Sequence, residues 1–193
     1  MQQKFSRTTT LTAAADSIEK AFVIPEISPA PKLSFLALTL QNGSGEVVSS
    51  NFYWLPAKLS TFDWDLEHTN QHAYYTAVIQ YEDLTALNSL PQVQLDISAT
   101  VQNSAQGDLV RVHLHNPSRE LAFQISFGVH DGNRDDQILP VLWQDNYISL
   151  LPNESRVVVG RYAVNQLGST PELRLDGWNV VPGTIMLKKS ASK

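Results

Sequence analysis

Asp63 and Asp65 flank Trp64 and are the best candidates in the sequence for a pair of catalytic carboxylates. Side chains two residues apart in a strand lie on the same face, so a strand here would present both carboxylates together. Hydrolysis of a glycoside with retention of configuration requires two carboxyl groups about 5–5.5 Å apart across a pocket. Acidic residues at this spacing are also common on solvated strand faces. We expect Asp63 and Asp65 to be solvated, and the sequence predicts no catalytic residue.

His113 and His115 are the most suggestive pair of metal ligands, because their spacing places both imidazoles on one face of a predicted strand. A catalytic zinc site needs a third protein ligand and a supporting second shell of hydrogen bonds. His130 is the one nearby residue that could complete the set. The alternative is a polar outer face opposite Val112 and Leu114, and this is the arrangement we expect.

The other signatures of metal or cofactor chemistry are incomplete. His68 and His72 have the spacing of a zincin helix but lack its Glu. Asp131, Asp135 and Asp136 lie in a loop without the regular alternation and closing Glu of an EF-hand. The sequence has no cysteine, which excludes disulfides, thiolate nucleophiles and cysteine-based metal centres. It also has no Gly-x-Ser-x-Gly elbow, no Walker loop and no dinucleotide fingerprint. The sequence therefore predicts no metal and no cofactor.

The four tryptophans are the remaining candidates for contact with a ligand. Exposed aromatic rings can stack on sugar rings, whereas a Trp within an apolar run usually packs in a core or between domains because it buries so much area. We predict the packing role for Trp54, Trp143 and Trp178. Trp64 is kept as the candidate for ligand binding.

The stretch that follows Trp143 predicts a bend. Asp145 and Asn146 have short polar side chains that can bond nearby backbone groups, and Tyr147 then restarts a strand. We predict that these three residues are structural, and that Trp143 packs into the core or the junction between two β regions.

The composition favours a folded chain with an ordinary core. The 193 residues are 42% hydrophobic, and 14 basic and 19 acidic side chains give a net charge of -5. An acidic chain without a basic cluster argues against binding to nucleic acid or to an anionic membrane surface. No apolar run approaches the ~20 residues of a membrane-spanning helix. The first residues open no hydrophobic signal region, so we expect any signal peptide to lie on sequence upstream.

Alternation of apolar and polar residues dominates the second half of the chain and predicts half-buried strands. Turn residues such as Asn, Gly, Pro and Ser separate these runs. The strands are predicted at residues 93–99, 110–114, 121–129, 147–151, 156–164 and 172–178. Short strands at this spacing in about 100 residues indicate an antiparallel β-sandwich of immunoglobulin type.

The first half of the chain also has β character, with strands predicted at residues 6–14, 34–40 and 46–55 and a hairpin turn at 42–45. A short helical turn is predicted at residues 16–21, and residues 81–87 are predicted to form either a short helical turn or a packed connector. A sandwich of this type needs about seven strands. Residues 1–55 supply too few, so they either add to the second sandwich or form the back half of another one. We therefore divide the chain into residues 1–55, an aromatic-rich connector at 56–91, and a complete sandwich with a tail at 92–193.

Three segments together resemble a known family. They are residues 51–55 (NFYWL), residues 140–156 (PVLWQDNYISLLPNESR) and residues 177–180 (GWNV). In this order they are similar to the C-terminal part of glycoside hydrolase family 2 enzymes. The branch is that of the exo-β-D-glucosaminidases and the mannosylglycoprotein endo-β-mannosidases. The resemblance runs from about residue 4 to residue 180.

The resemblance implies a five-part plan in which a (β/α)8 barrel carries both catalytic glutamates and two immunoglobulin-like domains follow it. This chain would match the second half of the fourth part and all of the fifth. No catalytic residue is carried over, and residues 1–55 would be the closing strands of a sandwich that begins upstream. The resemblance also implies a periplasmic or extracellular location.

The resemblance implies a non-catalytic accessory region of a glycosidase that acts on β-glucosaminides or β-mannosides. Its partners would be the upstream domains of the same enzyme, and self-association through the incomplete sandwich is a further expectation. The alternatives are an autonomous carbohydrate-binding module and a structural module without sugar contact. Exposed, coplanar Trp and Tyr rings on one sheet face would favour carbohydrate binding, and buried Trp would disfavour it.

Overall fold

The computed structural model describes residues 1–65, 76–102, 107–133, 136–163 and 171–189. β-Strand is the predominant regular secondary structure of the described residues. The chain divides into two units, which we call the N-terminal unit (residues 2–89) and the C-terminal unit (Met1 with residues 90–193). The finer division into residues 1–55, 56–91 and 92–193 stays a prediction.

The N-terminal unit contains two two-stranded antiparallel sheets among its described residues. Strand β1 (Leu33–Gln41) pairs with β2 (Val47–Pro56), and β3 (Thr61–Asp63) pairs with β4 (Ala77–Gln80). A 3₁₀ helix follows at Thr85–Ser89. The strands predicted at residues 34–40 and 46–55 are therefore confirmed to within one residue at their ends.

The turn between β1 and β2 has the predicted chemistry. The side-chain Oδ1 of Asn42 accepts hydrogen bonds from the backbone N–H groups of Ser44 at 3.1 Å and Glu46 at 2.9 Å. Gly45 has a φ of 82°, in the left-handed region that favours glycine. The hairpin turn at residues 42–45 is confirmed.

Three local predictions for this unit need correction. Residues 6–14 form no strand, because the described residues offer them no hydrogen-bonded neighbour and an isolated strand is unstable. Residues 16–21 form no helical turn, and Asp16 instead lies in a turn with a φ of 57°. The helical turn predicted at residues 81–87 is shifted to Thr85–Ser89, after Asp83 Oδ1 accepts a 3.0 Å hydrogen bond from the Thr85 N–H.

Among the described residues of the C-terminal unit, every regular secondary-structure element is a strand. The strands are β5 (Asp96–Gln102), β6 (Asp108–His115), β7 (Ala122–Asp131), β8 (Asp136–Gln137), β9 (Leu142–Trp143), β10 (Ile148–Leu150), β11 (Ser155–Tyr162), β12 (Pro171–Asp176), β13 (Gly183–Met186) and β14 (Lys188–Lys189).

These strands form two sheets. The first has the order β14-β5-β6-β11-β9, and the second has the order β10-β7-β12-β13 with β8 also paired to β7. Within them, β5-β6-β11-β9 and β7-β12-β13 reproduce the ABED and CFG sheets of a constant-type immunoglobulin domain. The predicted antiparallel sandwich is confirmed. One pairing is parallel: β14 lies beside β5, with Lys188 opposite Thr100 and Lys189 opposite Val101.

The core of the C-terminal unit consists of inward-facing side chains from both sheets. The central contributors are Val110, Val112 and Leu114 from β6, Ile125, Phe127 and Val129 from β7, and Leu173 and Leu175 from β12. Each such side chain contributes about 1.5–3 kcal/mol when it is fully buried. The alternation read from the sequence therefore separates core from surface correctly in these strands.

Two predicted strand ends are wrong. The strand predicted at 93–99 begins at Asp96, and Val93 instead forms an isolated parallel bridge with Val180. The strand predicted at 172–178 ends at Asp176, because the chain turns at Gly177 and the Trp178 N–H donates to the Phe123 carbonyl oxygen at 3.0 Å.

Candidate functional site

The predicted carboxylate pair does not share a strand face. Asp63 is the last residue of β3, whereas Trp64 and Asp65 have helical backbone. The strand that would have aligned the two carboxylates ends at Asp63, directly before Trp64. This geometry adds nothing to a catalytic reading of the pair.

The three candidate histidines are divided between the two sheets. His113 and His115 occupy the outer face of β6, as predicted, and His115 Nδ1 is 2.9 Å from Ser155 Oγ. His130 lies on β7, in the other sheet. Among the residues that the structure describes, no three His, Asp or Glu side chains are grouped in a way that could hold a metal ion.

The remaining acidic and histidine candidates fall partly outside the described ranges. His68, His72 and Asp135 lie there. Asp131 is buried at the end of β7, and its Oδ1 accepts a hydrogen bond from the Asn133 N–H at 3.1 Å.

Trp143 packs against the core of the C-terminal unit. Its ring meets the edge of Phe127 at a centroid distance of 4.7 Å and an interplanar angle of 80°. On its other side it lies over Gly160 in β11, where a Cβ atom would come within 2.6 Å of the Trp143 ring. The absence of a side chain at Gly160 is what makes room for the indole. These contacts support the predicted structural role.

The bend after Trp143 is held by side-chain to backbone hydrogen bonds. Asn146 Oδ1 accepts from the N–H of Phe127 at 3.1 Å, and Asn146 Nδ2 donates to the Phe127 carbonyl oxygen at 3.0 Å. The side chain thus pairs with β7 much as a neighbouring strand would. The Asp145 carboxylate accepts from the Asn146 N–H at 2.9 Å and forms an ion pair with Arg156. Tyr147 has a φ of 55° and an exposed ring.

The other three tryptophans have large exposed fractions within their own units. The exposed fraction is 40% for Trp54 on β2, 58% for Trp64 and 56% for Trp178. The Trp64 ring is 5.5 Å from that of Phe62, with an interplanar angle of 47°. The structural roles predicted for Trp54 and Trp178, and the ligand role for Trp64, stay predictions.

Two buried asparagines are the main residues that sequence reasoning missed. Asn179 donates to the carbonyl oxygens of Pro91 at 2.6 Å and Leu121 at 2.7 Å, and its Oδ1 accepts from the Phe123 N–H at 2.9 Å. Its side chain therefore ties together three segments that are far apart in the sequence.

The Asn116 side chain likewise hydrogen-bonds backbone groups of separate segments, at the loop between β6 and β7. Its Nδ2 donates to the carbonyl oxygens of Glu120 at 2.8 Å and of Leu150 and Leu151 at 3.1 Å, while its Oδ1 accepts from the Ser118 N–H at 3.1 Å. The Asn-Pro-Ser sequence was a turn signal. Nothing in that sequence indicated the partners Leu150 and Leu151 at the end of β10.

Two titratable groups have shifted pKa values. Burial, with a smaller contribution from the charge of Asp108, raises the pKa of Tyr162 above its ordinary value. Hydrogen bonds from the Thr85 hydroxyl and then from its backbone N–H lower the pKa of Asp83. Both effects belong to local structure, and neither group lies in a cluster suited to acid–base catalysis.

The chain is similar to proteins of known activity. The family model described as the exo-β-D-glucosaminidase Ig-fold domain matches residues 73–180. An exo-β-D-glucosaminidase of Arthroderma benhamiae is 35% identical over 148 residues, which is 77% of this chain and 16% of that protein. An exo-β-D-glucosaminidase of Streptomyces avermitilis is 32% identical over 95% of this chain and 20% of its own length.

A solved structure is similar along most of the chain. The exo-chitosanase of Amycolatopsis orientalis superposes with a TM-score of 0.77 at 32% identity, covering 86% of this chain and 19% of that one. The chain thus spans about a fifth of the length of the relatives it matches. Among the described residues, no helix has the length and apolar character needed to cross a membrane.

Proposed function

The chain belongs to the exo-β-D-glucosaminidase Ig-fold domain family of glycoside hydrolase family 2, and from this premise we propose that it is a non-catalytic accessory region of such an enzyme. The family resemblance read from the sequence is confirmed. The finer proposal is that the region braces a (β/α)8 catalytic domain supplied by the rest of the protein. The substrate class that follows from the named relatives is β-glucosaminides.

The apolar surface of the β1–β2 hairpin is the observation that carries the bracing role. Large apolar side chains of this hairpin are exposed by 36–57%, and they include the adjacent residues Tyr53 and Trp54 in the regular part of the ladder. Adjacent residues in a strand point to opposite faces, so both faces of this two-stranded sheet present apolar groups. An isolated two-stranded hairpin is marginally stable in water. Such a surface favours a role in docking onto other strands.

The proposed partner of this hairpin is the preceding part of the same glycosidase. Phe35 and Phe52 stack at a centroid distance of 5.7 Å, and Phe35 lies opposite Trp54 in the register. This aromatic group gives the hairpin one cohesive patch on which further strands could close a sandwich. The hairpin would then be the final part of that sandwich, and the C-terminal unit would follow it as a complete domain.

A fragment-complementation experiment tests the proposal. The preceding domains of the glycosidase are expressed as a separate polypeptide and mixed with the 193-residue chain. We expect the two to form a stable complex, with hydrolysis of an aryl β-glucosaminide only in samples that contain the preceding domains. The matched control is a chain with Leu40→Asp in β1, which places a charge on the proposed docking face.

The outcomes separate the alternatives. Turnover by the isolated chain that survives repurification and disappears with Asp63→Asn would show that the chain is itself catalytic. Dimerisation of the isolated chain, unaffected by the preceding domains, would instead assign the hairpin to self-association.

A further inference from the structure

The turn between β1 and β2 contains the only Asn-Gly pair in the sequence, Asn42 and Gly43. Both residues are exposed. A Cβ atom at position 43 would meet no atom within 4 Å, so the surroundings do not crowd this residue. The described part of the chain also offers the Gly43 N–H no hydrogen-bond acceptor. The Gly43 nitrogen can therefore act as a nucleophile once a base has removed its proton.

The side-chain carbonyl of Asn42 is the electrophile beside this nitrogen. Asn42 Oδ1 accepts hydrogen bonds from the Ser44 hydroxyl at 2.7 Å, the Glu46 N–H at 2.9 Å and the Ser44 N–H at 3.1 Å. Donors at such distances from a carbonyl oxygen stabilise the oxyanion that forms in acyl transfer. The turn holds these donors in place, because the Asn42 N–H donates to the Glu46 carbonyl oxygen and the Gly45 N–H to that of Asn42.

We propose that Asn42 is a site of self-modification, at which the turn promotes the loss of ammonia from the side chain. The deprotonated nitrogen of Gly43 forms a bond to Asn42 Cγ, and the electron pair of the carbonyl bond moves onto Oδ1. When this pair returns, the bond from Cγ to Nδ2 breaks, and Nδ2 takes up a proton from water and leaves as ammonia. Water then opens the resulting cyclic imide, which leaves an aspartate or an isoaspartate at position 42.

The modification would change both the charge and the backbone of the turn. Asn42 Nδ2 donates a hydrogen bond to Glu46 Oε2 at 3.1 Å. A carboxylate at position 42 would replace this bond with repulsion between two like charges. In the isoaspartate form the main chain is longer by one carbon, next to the pairing of Gln41 with Val47 that ends the ladder. The modification would therefore loosen the hairpin at its tip.

Mass spectrometry of the 193-residue chain, incubated at neutral and mildly alkaline pH, tests the site. Peptide mapping locates the modified residue, and released ammonia is measured in parallel. A synthetic peptide of residues 40–47 in the same buffer is the unfolded reference, because an isolated hairpin is marginally stable at best. We expect position 42 to react several-fold faster in the folded chain than in the peptide. The rate should rise with pH, because the Gly43 N–H must lose its proton.

Gly43→Ala tests the nucleophile. The open space at position 43 accepts a Cβ atom, and Gly43 is not among the residues with positive φ, so the turn should be retained. We expect the reaction to slow by about tenfold, because the added methyl group restricts the approach of the nitrogen to Asn42 Cγ.

Ser44→Ala tests the stabilisation of the oxyanion. The variant removes the hydroxyl donor and leaves both backbone N–H donors to Asn42 Oδ1 in place. We expect the reaction to slow several-fold. Ser50→Ala is the matched control, because Ser50 is an exposed serine of β2 outside the turn, and it should leave the rate unchanged. Circular dichroism establishes that the variants are folded.

The opposite results would overturn the proposal. A slower reaction in the folded chain than in the peptide, or a faster reaction with Ser44→Ala, would mean that the hydrogen bonds lock the Asn42 amide and protect it. An unmodified position 42 would overturn it as well. These measurements involve no preceding domain of the glycosidase. Their failure would therefore leave the proposed accessory role standing, and failed complementation would leave them interpretable.

Discussion

Both units contain strands with alternating apolar and polar residues, but the apolar residues are buried to very different extents in the two units. In the C-terminal unit the inward positions of β6, β7 and β12 are almost completely buried, and they form a shared core. In the N-terminal unit Leu87 alone, among the residues the structure describes, falls in the buried hydrophobic class. Alternation thus predicts that a segment forms a strand. It does not predict whether the covering surface comes from the same part of the chain.

The same contrast holds for polar groups. The C-terminal unit buries Asn116 and Asn179 and satisfies each side chain with hydrogen bonds to distant backbone. In the N-terminal unit Asn42 makes its hydrogen bonds within its own exposed turn. In this chain, hydrogen bonds between residues far apart in the sequence accompany a complete core, whereas the hairpin turn is held by hydrogen bonds between near neighbours.

Replacing Trp143 with Ala should produce the largest loss of stability and would break the comparison most directly. The change removes the contacts with Phe127 and leaves a space above Gly160. We expect unfolding to become easier by about 3 kcal/mol, the low end of the range for large aromatic residues, because the ring is only partly buried. Differential scanning calorimetry measures the effect, with Leu142→Ala, at an exposed position of the same strand, as the control. An unchanged Tm would indicate that Trp143 serves a ligand instead.

Replacing Asn179 with Ala should have the next largest effect. The change leaves the Phe123 N–H and the carbonyl oxygens of Pro91 and Leu121 without this partner, and an unsatisfied buried group costs about 1–3 kcal/mol. We expect a loss of roughly 2–3 kcal/mol in urea denaturation, with the slope preserved. Asn51→Ala, on the exposed face of the hairpin, is the control and should change stability by less than about 0.5 kcal/mol. Equal losses in the two variants would show that burial of the amide is not the cause.

Leu40→Ala sharpens the comparison. Its effect on stability should be small in the isolated chain, whereas its effect on binding should be clear where another domain covers the hairpin. Leu40 is 57% exposed, so truncation in the isolated chain should cost less than about 0.5 kcal/mol. In the complex with the preceding domains the same change should weaken association by several-fold. Thermal melting of the chain and titration of the complex measure the two effects. A large loss in the isolated chain would mean that Leu40 already packs within it.

Asp83 gives the smallest expected effect, a weak dependence of the 3₁₀ helix on pH. Its pKa in the folded chain is below the ordinary value of 3.8, because the ionised carboxylate accepts two hydrogen bonds from Thr85. The stabilisation is therefore present above about pH 4 and is lost as the pH falls through the lowered pKa. The amide proton of Thr85, followed by NMR, should report this midpoint. Asp83→Asn should abolish the transition, and its persistence would assign it to another group.

The sequence predicted the sandwich because its central strands are buried on one face only. Residues 110–114 lie within β6, and all of residues 121–129 except Leu121 lie within β7. The prediction failed at residues 6–14, where threonines favour a strand but the described residues supply no hydrogen-bonded neighbouring strand. The local pattern also gave no indication that β3 ends at Asp63, directly before Trp64.

The candidate site was less accessible to prediction than the fold. His113, His115 and His130 were candidate metal ligands in the sequence, but the strand order places His130 in the other sheet. Asn179 carried no local signal, because its hydrogen-bond partners lie 56, 58 and 88 residues away. Such contacts depend on how the two sheets are connected.

The parallel pairing of β14 with β5 has a mechanical consequence. The first and last strands of the sandwich run side by side in the same direction, so tension along the chain pulls β5 and β14 past each other. Their backbone hydrogen bonds are then strained together in shear, whereas tension across the β1–β2 hairpin opens its bonds one after another. When the chain is pulled from its two ends, we expect the hairpin to extend first. Single-molecule pulling would show this as a low-force event preceding rupture of the sandwich.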